Sequence, residues 1–187
     1  MEIDYNLIIG AIAVIISLIA LLYTKSSIKL QKLHNEKSLK PLPMIETGDY
    51  EIDIYIKFIN KGNGPLIINS IEFISGNKKS ESIVNLMNDD LKFEYWNTFY
   101  VRNNKEILQS TDEITLLQKK LKSGVSASEK EFLFNLRTFL SQVSVIVEFE
   151  DIYNNKSIFK ESLNRFSRRL KDKTAISRVD EVGIREK

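Results

Sequence analysis

Apolar residues along this chain fall into three kinds of run, and each predicts a different element. The first run is continuous: residues 5–24 read YNLIIGAIAVIISLIALLYT, with no charge. At about 1.5 Å rise per residue such a stretch spans the ~30 Å hydrocarbon layer of a bilayer as one α-helix, and apolar residues on every face argue against an amphipathic surface helix. The second kind alternates. Ile52, Ile54, Ile56 and Phe58 interleave with Glu51, Asp53, Tyr55 and Lys57, which predicts a strand over 50–59 with one buried face, after a short strand at 44–47. The connection Asn60-Lys61-Gly62-Asn63-Gly64-Pro65 supplies Gly and Asn for positive φ, and 66–74 (LIINSIEFI) returns as the second arm of a hairpin-like unit. A closing pair mirrors it, with strands at 143–149 and 157–163 around a polar turn containing Asn154-Asn155. Between them 91–101 (LKFEYWNTFYV) predicts a further strand, with Phe93, Tyr95 and Phe99 on one face and Trp96 and Tyr100 on the other.

The third kind has helical spacing. Ile114, Leu117 and Leu121, then Phe132, Leu133, Leu136, Phe139 and Leu140, predict two helices over 110–141. Each is preceded by a capping-box pattern, Ser110-x-x-Glu113 and Ser126-x-x-Glu129, and 123–126 would link them as a helical hairpin. A DNA-reading helix-turn-helix has a similar outline, but this region is not strongly basic and no nucleic-acid partner is expected.

Charge adds an orientation. Lys25, Lys29, Lys32, Lys37 and Lys40 follow the apolar run, whereas Glu2 and Asp4 precede it, so the rest of the chain is expected in the cytoplasm with Met1 outside. A cleaved secretory signal would need a basic n-region and a small-residue cleavage site, and neither pattern is present. Residues 41–164 carry an acidic excess and are bracketed by basic segments at 24–40 and 165–187. Lys25, Lys29 and Lys32 are therefore candidates for contact with anionic lipid headgroups. Within the span, Gly10, Ala13, Ser17, Ala20 and Thr24 recur at steps of three and four on one stripe, the pattern that lets helices approach closely in lipid.

Candidate chemistry is sparse. The 187 residues include no Cys and one His, His34, which removes disulfides, thiolate metal sites and cysteine nucleophiles and leaves little scope for imidazole chemistry. No P-loop, G-x-G-x-x-G, G-x-S-x-G or H-E-x-x-H pattern occurs. Glu148, Glu150 and Asp151 form the densest acidic group, and solvated strand carboxylates are its ordinary reading. Tyr95, Trp96 and Tyr100 read as core aromatics or, alternatively, as a ligand or partner surface able to stack on a ring. No catalytic residue, metal site or cofactor is expected.

The Asn60–Pro65 pattern before an aliphatic strand, with Val145-Ile146-Val147-Glu148-Phe149-Glu150-Asp151-Ile152-Tyr153 late in the chain, resembles small bacterial membrane-anchored proteins in which one transmembrane helix carries an immunoglobulin-like β-sandwich. The likeness covers roughly 45–75 and 143–163 and implies no catalytic residues. The expected organisation is a transmembrane helix at 1–24 and a basic juxtamembrane helix at 25–40. A mainly β, immunoglobulin-like sandwich follows at 41–164, with a helical hairpin insertion at about 110–141, and then a basic tail at 165–187. The expected function is non-enzymatic: a single-pass protein of the bacterial inner membrane, in contact with lipid, whose cytoplasmic domain binds a partner protein or forms homo-oligomers. By analogy of architecture, the alternative is a ligand-gated membrane effector of a bacterial antiviral system.

Overall fold

The structure is a computed structural model that describes residues 5–102, 105–122 and 126–170. The chain divides into two compact units, Met1–Lys40 and Pro41–Lys187. In the first, α1 (Tyr5–Ser38) runs unbroken through the apolar stretch and the lysine-rich segment after it. Nothing in 26–38 breaks a helix, and Pro41 and Pro43 lie just beyond its end. From Ile8 onward its apolar side chains are exposed, Ile9 and Leu21 by about two thirds. By length and composition α1 is able to cross a bilayer, and it is a candidate membrane anchor. Glu2 and Asp4, on which the expected orientation partly rests, lie outside the described residues.

The second unit is mostly β, built as two antiparallel sheets. One has the order β1 (Pro43–Asp49), β2 (Asp53–Asn60), β7 (Glu113–Lys120), β5 (Thr98–Phe99). The other runs β4 (Lys78–Ser80), β3 (Leu66–Ser75), β8 (Val143–Glu150), β9 (Lys156–Ser162), with β6 (Glu106–Leu108) also paired to β3. Their inner faces share one core. Ile54, Ile56, Phe58, Leu116 and Leu117 come from the first sheet, and Ile71, Phe73, Val143, Val145 and Val147 from the second. The rings of Phe58 and Phe159 meet between the sheets at 5.9 Å. A helix, α3 (Ala127–Leu140), adds Leu133, Leu136 and Leu140 to the same core.

Local signals explain much of this. The Ile52 to Phe58 alternation puts Ile54, Ile56 and Phe58 fully inside, and the 143–163 region is a β8–β9 hairpin with Asn154 at φ 61° in its turn. The second capping box is intact, with the Ser126 hydroxyl accepting from the Glu129 N–H and Glu129 Oε2 accepting from the Ser126 N–H.

Three expectations are corrected. The 60–65 connection does not close a hairpin: β2 pairs with β1 and β7, and β3 with β8, so this segment crosses from one sheet to the other. The helical hairpin over 110–141 is a single helix, because 113–120 forms strand β7; of the expected link at 123–126, Ser126 caps α3 and 123–125 lie outside the described residues. A bulge is the reason. Ile56 faces Leu117 and Lys57 faces Thr115, leaving Leu116 as the extra residue. One inserted residue turns a two-residue period into a step of three, so Ile114 and Leu117 mimic helical spacing. The same device acts in β3 at Asn69, where the buried series passes from Ile68 to Ile71.

The third correction concerns 91–101, expected as one strand. It begins inside a short helix, α2 (Asp89–Lys92), continues as loop, and pairs only at β5. Neither face of a continuous strand would be purely apolar: Lys92 and Glu94 would share a side with Trp96 and Tyr100. By leaving the strand conformation the chain buries Leu91, Trp96 and Tyr100 alone. The core also extends past residue 164, because Phe166 is fully buried in the 3₁₀ turn Asn164–Ser167. The remainder of the basic tail, from 171, lies outside the described residues.

Candidate functional site

On α1 the five small residues keep to one stripe. Ser17 Oγ donates to the Ala13 carbonyl and Thr24 Oγ1 to the Ala20 carbonyl, both at 2.8 Å. Each hydroxyl proton is thereby satisfied within the helix, which lowers the cost of placing the stripe in hydrocarbon, while the oxygens keep a free lone pair. A Cβ added at Gly10 would meet nothing within 4 Å, so no contact inside the chain requires glycine there. Lys25, Lys29 and Lys32 are exposed just after the stripe, and Lys32 lies 3.9 Å from Glu36 one turn on.

The aromatic trio Tyr95, Trp96 and Tyr100 is split. Trp96 and Tyr100 are each 7% exposed and belong to the core, whereas Tyr95 is 77% exposed. They form no common stacking surface. Lys119, buried on β7, holds the loop in place: its ammonium donates to the Tyr95 carbonyl at 2.7 Å and to Glu94 Oε2 at 3.2 Å, and lies 5.0 Å from the centre of the Phe132 ring. The Trp96 ring meets the same Phe132 ring at 6.1 Å. With its backbone held from below, the loop presents Phe93, Tyr95, Phe99 and Val101 outward. The exposed aromatics of the segment are therefore those assigned to the opposite side from Trp96, and Lys92, Glu94, Asn97 and Thr98 are exposed among them.

The acidic group at the end of β8 is committed locally. Lys105 pairs with Glu150 and its hydrogen bond holds that carboxyl below the usual range, while Glu148 is exposed. Burial pushes the Asp151 carboxyl up, but hydrogen bonds from Asn155 and Tyr153 outweigh it and hold the group below its ordinary value of 3.8. Asp151 Oδ1 accepts the Tyr153 and Asn155 backbone N–H groups at 2.8 and 2.9 Å, and Oδ2 accepts the Asn155 amide at 2.9 Å. These bonds define the β8–β9 turn. Asp151→Ala is expected to cost about 1–2 kcal/mol at neutral pH. Because the folded carboxyl titrates low, that difference from wild type persists above the unfolded-state value and shrinks as pH falls through the folded one. Urea unfolding of both proteins along a pH series checks this; a gap that grows in acid would refute it. Among the described residues no group of three or more His, Asp or Glu side chains is arranged to hold a metal.

Neither a protein-family model nor a curated protein sequence matches this chain. Among solved structures, the archaellum periplasmic stator protein FlaG from Sulfolobus acidocaldarius is similar over 64% of this chain and 100% of that chain, at 8% identity and a TM-score of 0.23. At that score nothing passes from that protein to this one.

Proposed function

We propose that this protein is a single-pass membrane protein whose cytoplasmic, immunoglobulin-like domain binds a partner protein or a second copy of itself. The observation that carries the reading is α1: a helix with apolar residues exposed on every face has to be covered by lipid or by another helix. It is joined to a β domain that closes a core of its own. The lysines after the span support the cytoplasmic assignment. The strand order supports the immunoglobulin-like one: apart from β6, which pairs with β3, the orders β1-β2-β7-β5 and β4-β3-β8-β9 match the A-B-E-D and C′-C-F-G sheets of that sandwich. Phe93 and Tyr95, held outward by the Lys119 anchor, are the kind of rigid aromatic contact that interfaces favour.

The test is purification of the tagged full-length protein in mild detergent, with native mass measurement and identification of co-eluting proteins. A stoichiometric second protein or a defined homo-oligomer is expected; a monodisperse monomer that elutes alone would refute the reading. Replacing Ala13 and Ser17 together by Ile is expected to weaken the assembly by about 1–2 kcal/mol, roughly a tenfold loss of association, through bulk added on the close-approach stripe. Unchanged assembly in detergent and in membranes would remove the stripe from the interface.

A further inference from the structure

The end of β1 and the last described turns of the chain line an open cavity of about 390 Å³. One wall is the backbone stretch Thr47–Tyr50, and the other carries Arg165, Phe166, Arg168 and Arg169. Arg165 lies in the 3₁₀ turn Asn164–Ser167 and Arg168 and Arg169 in the helical residues that follow it, and all three line the cavity. Phe166, fully buried between them in sequence, fixes that turn to the core. The opposite wall is equally constrained. A Cβ at Gly48 would lie 2.1 Å from Tyr55 Cε1, so the Tyr55 ring lies directly over the Gly48 backbone.

The balance of charge in this cavity is positive. Among the described residues its one lining carboxylate, Asp49, already has a counterion: Arg137 Nε donates to Asp49 Oδ1 at 2.8 Å, and Arg137 Nη2 donates to the Tyr50 carbonyl at 3.1 Å. Arg137 is itself nearly buried, with 11% of its side chain exposed, which makes this the tight pair. Arg169 reaches the other Asp49 oxygen only at 3.9 Å. Among the described residues Arg165 and Arg168 have no carboxylate within ion-pair distance. Three arginines thus line a concave site whose one carboxylate among the described residues is already paired with Arg137. Like charges gathered on one cavity wall repel one another, and a multiply charged anion relieves that repulsion while using the planar donor forks of arginine.

We propose that this cavity binds a phosphate group, with Arg165 and Arg168 as its principal donors and Arg169 as a third. The group belongs either to a soluble phosphorylated ligand or to a lipid headgroup, and both present the same oxyanion.

The test uses full-length protein in neutral detergent micelles at constant ionic strength, titrated with inorganic phosphate and with pyrophosphate by calorimetry. A parallel arm measures binding to vesicles of phosphatidylcholine with and without phosphatidic acid. The variant is Arg165→Gln/Arg168→Gln, and Lys156→Gln/Lys160→Gln on exposed β9 removes the same charge elsewhere. Saturable binding is expected in at least one arm, weakened about tenfold or more by the arginine pair and not by the lysine pair, as for loss of charge-assisted bidentate contacts. Binding of the free anions identifies a soluble ligand; arginine-dependent binding to the acidic vesicles alone identifies the headgroup. No saturable binding in either arm, or equal weakening by both pairs, would overturn the proposal. Circular dichroism of each variant confirms that the fold survives.

Discussion

Asn60→Ala is expected to destabilise the β domain by about 3–4 kcal/mol, a large share of what holds a domain of this size together. Asn60 is completely buried, and its side chain joins three separate parts of the chain. Its Oδ1 accepts the N–H of Leu42, at the entry to β1, at 3.2 Å and that of Gly62 at 3.0 Å. Its Nδ2 donates to the Gly64 carbonyl at 2.8 Å and lies 3.2 Å from the carbonyls of both Leu108 and Gln109. Alanine leaves these backbone groups inside with fewer partners, and a buried polar group without its hydrogen bond costs about 1–3 kcal/mol. Asn60→Asp makes a sharper test. It preserves the acceptor toward Leu42 and Gly62 but turns a carboxylate oxygen toward three carbonyls, so it should be at least as damaging as alanine. Urea unfolding in detergent, followed by the fluorescence of Trp96, the single tryptophan and a core residue, measures both. A loss below about 1 kcal/mol for either variant would show that the site admits water and that the hub is not needed.

Phe166→Ala is expected to cost about 3–5 kcal/mol, the usual consequence of emptying a fully buried phenylalanine site. The same loss is predicted for a chain ended at Asn164, although everything after that residue reads as a charged tail. The turn is tied back by the Phe166 N–H to the Leu163 carbonyl at 3.1 Å, and Leu163 in turn donates to the Val143 carbonyl at 2.9 Å. Thermal and urea unfolding of Phe166→Ala beside Arg165→Ala separates packing from charge. The exposed arginine should change stability by less than about 0.5 kcal/mol, and comparable effects from the two variants would argue against a packing role for Phe166.

Several features of this protein were legible because their causes are local. An uncharged apolar run of this length predicts a helix long enough to cross a bilayer, and the lysine-rich segment after it contains nothing that would end that helix before Ser38. Alternation over 52–58 and 143–149, and a capping box at Ser126, depend on neighbours within a few residues, and they appear in the structure where expected. The stripe from Gly10 to Thr24 is equally a matter of sequence spacing.

Other features depended on pairing between distant segments. Whether Ile114 and Leu117 belong to a helix or a strand turned on a bulge opposite Ile56 and Lys57, more than fifty residues earlier. Asn60 read as a turn residue, and only when 42, 64, 108 and 109 come together does its side chain become a hub. Tyr95 and Trp96 are adjacent in sequence, yet Lys119 and Phe132 draw one ring inward and leave the other in water. The cavity arginines follow the same logic: as sequence they are tail charges, and they become a site because Phe166 has a place in the core and Arg137 has already taken Asp49. The sequence by itself determined which segments are helix or strand wherever the period of apolar residues was unbroken. Tertiary structure alone decided sheet partners, bulges and the fate of each aromatic and arginine, because those are set by which distant groups compete for the same buried volume and the same hydrogen bonds.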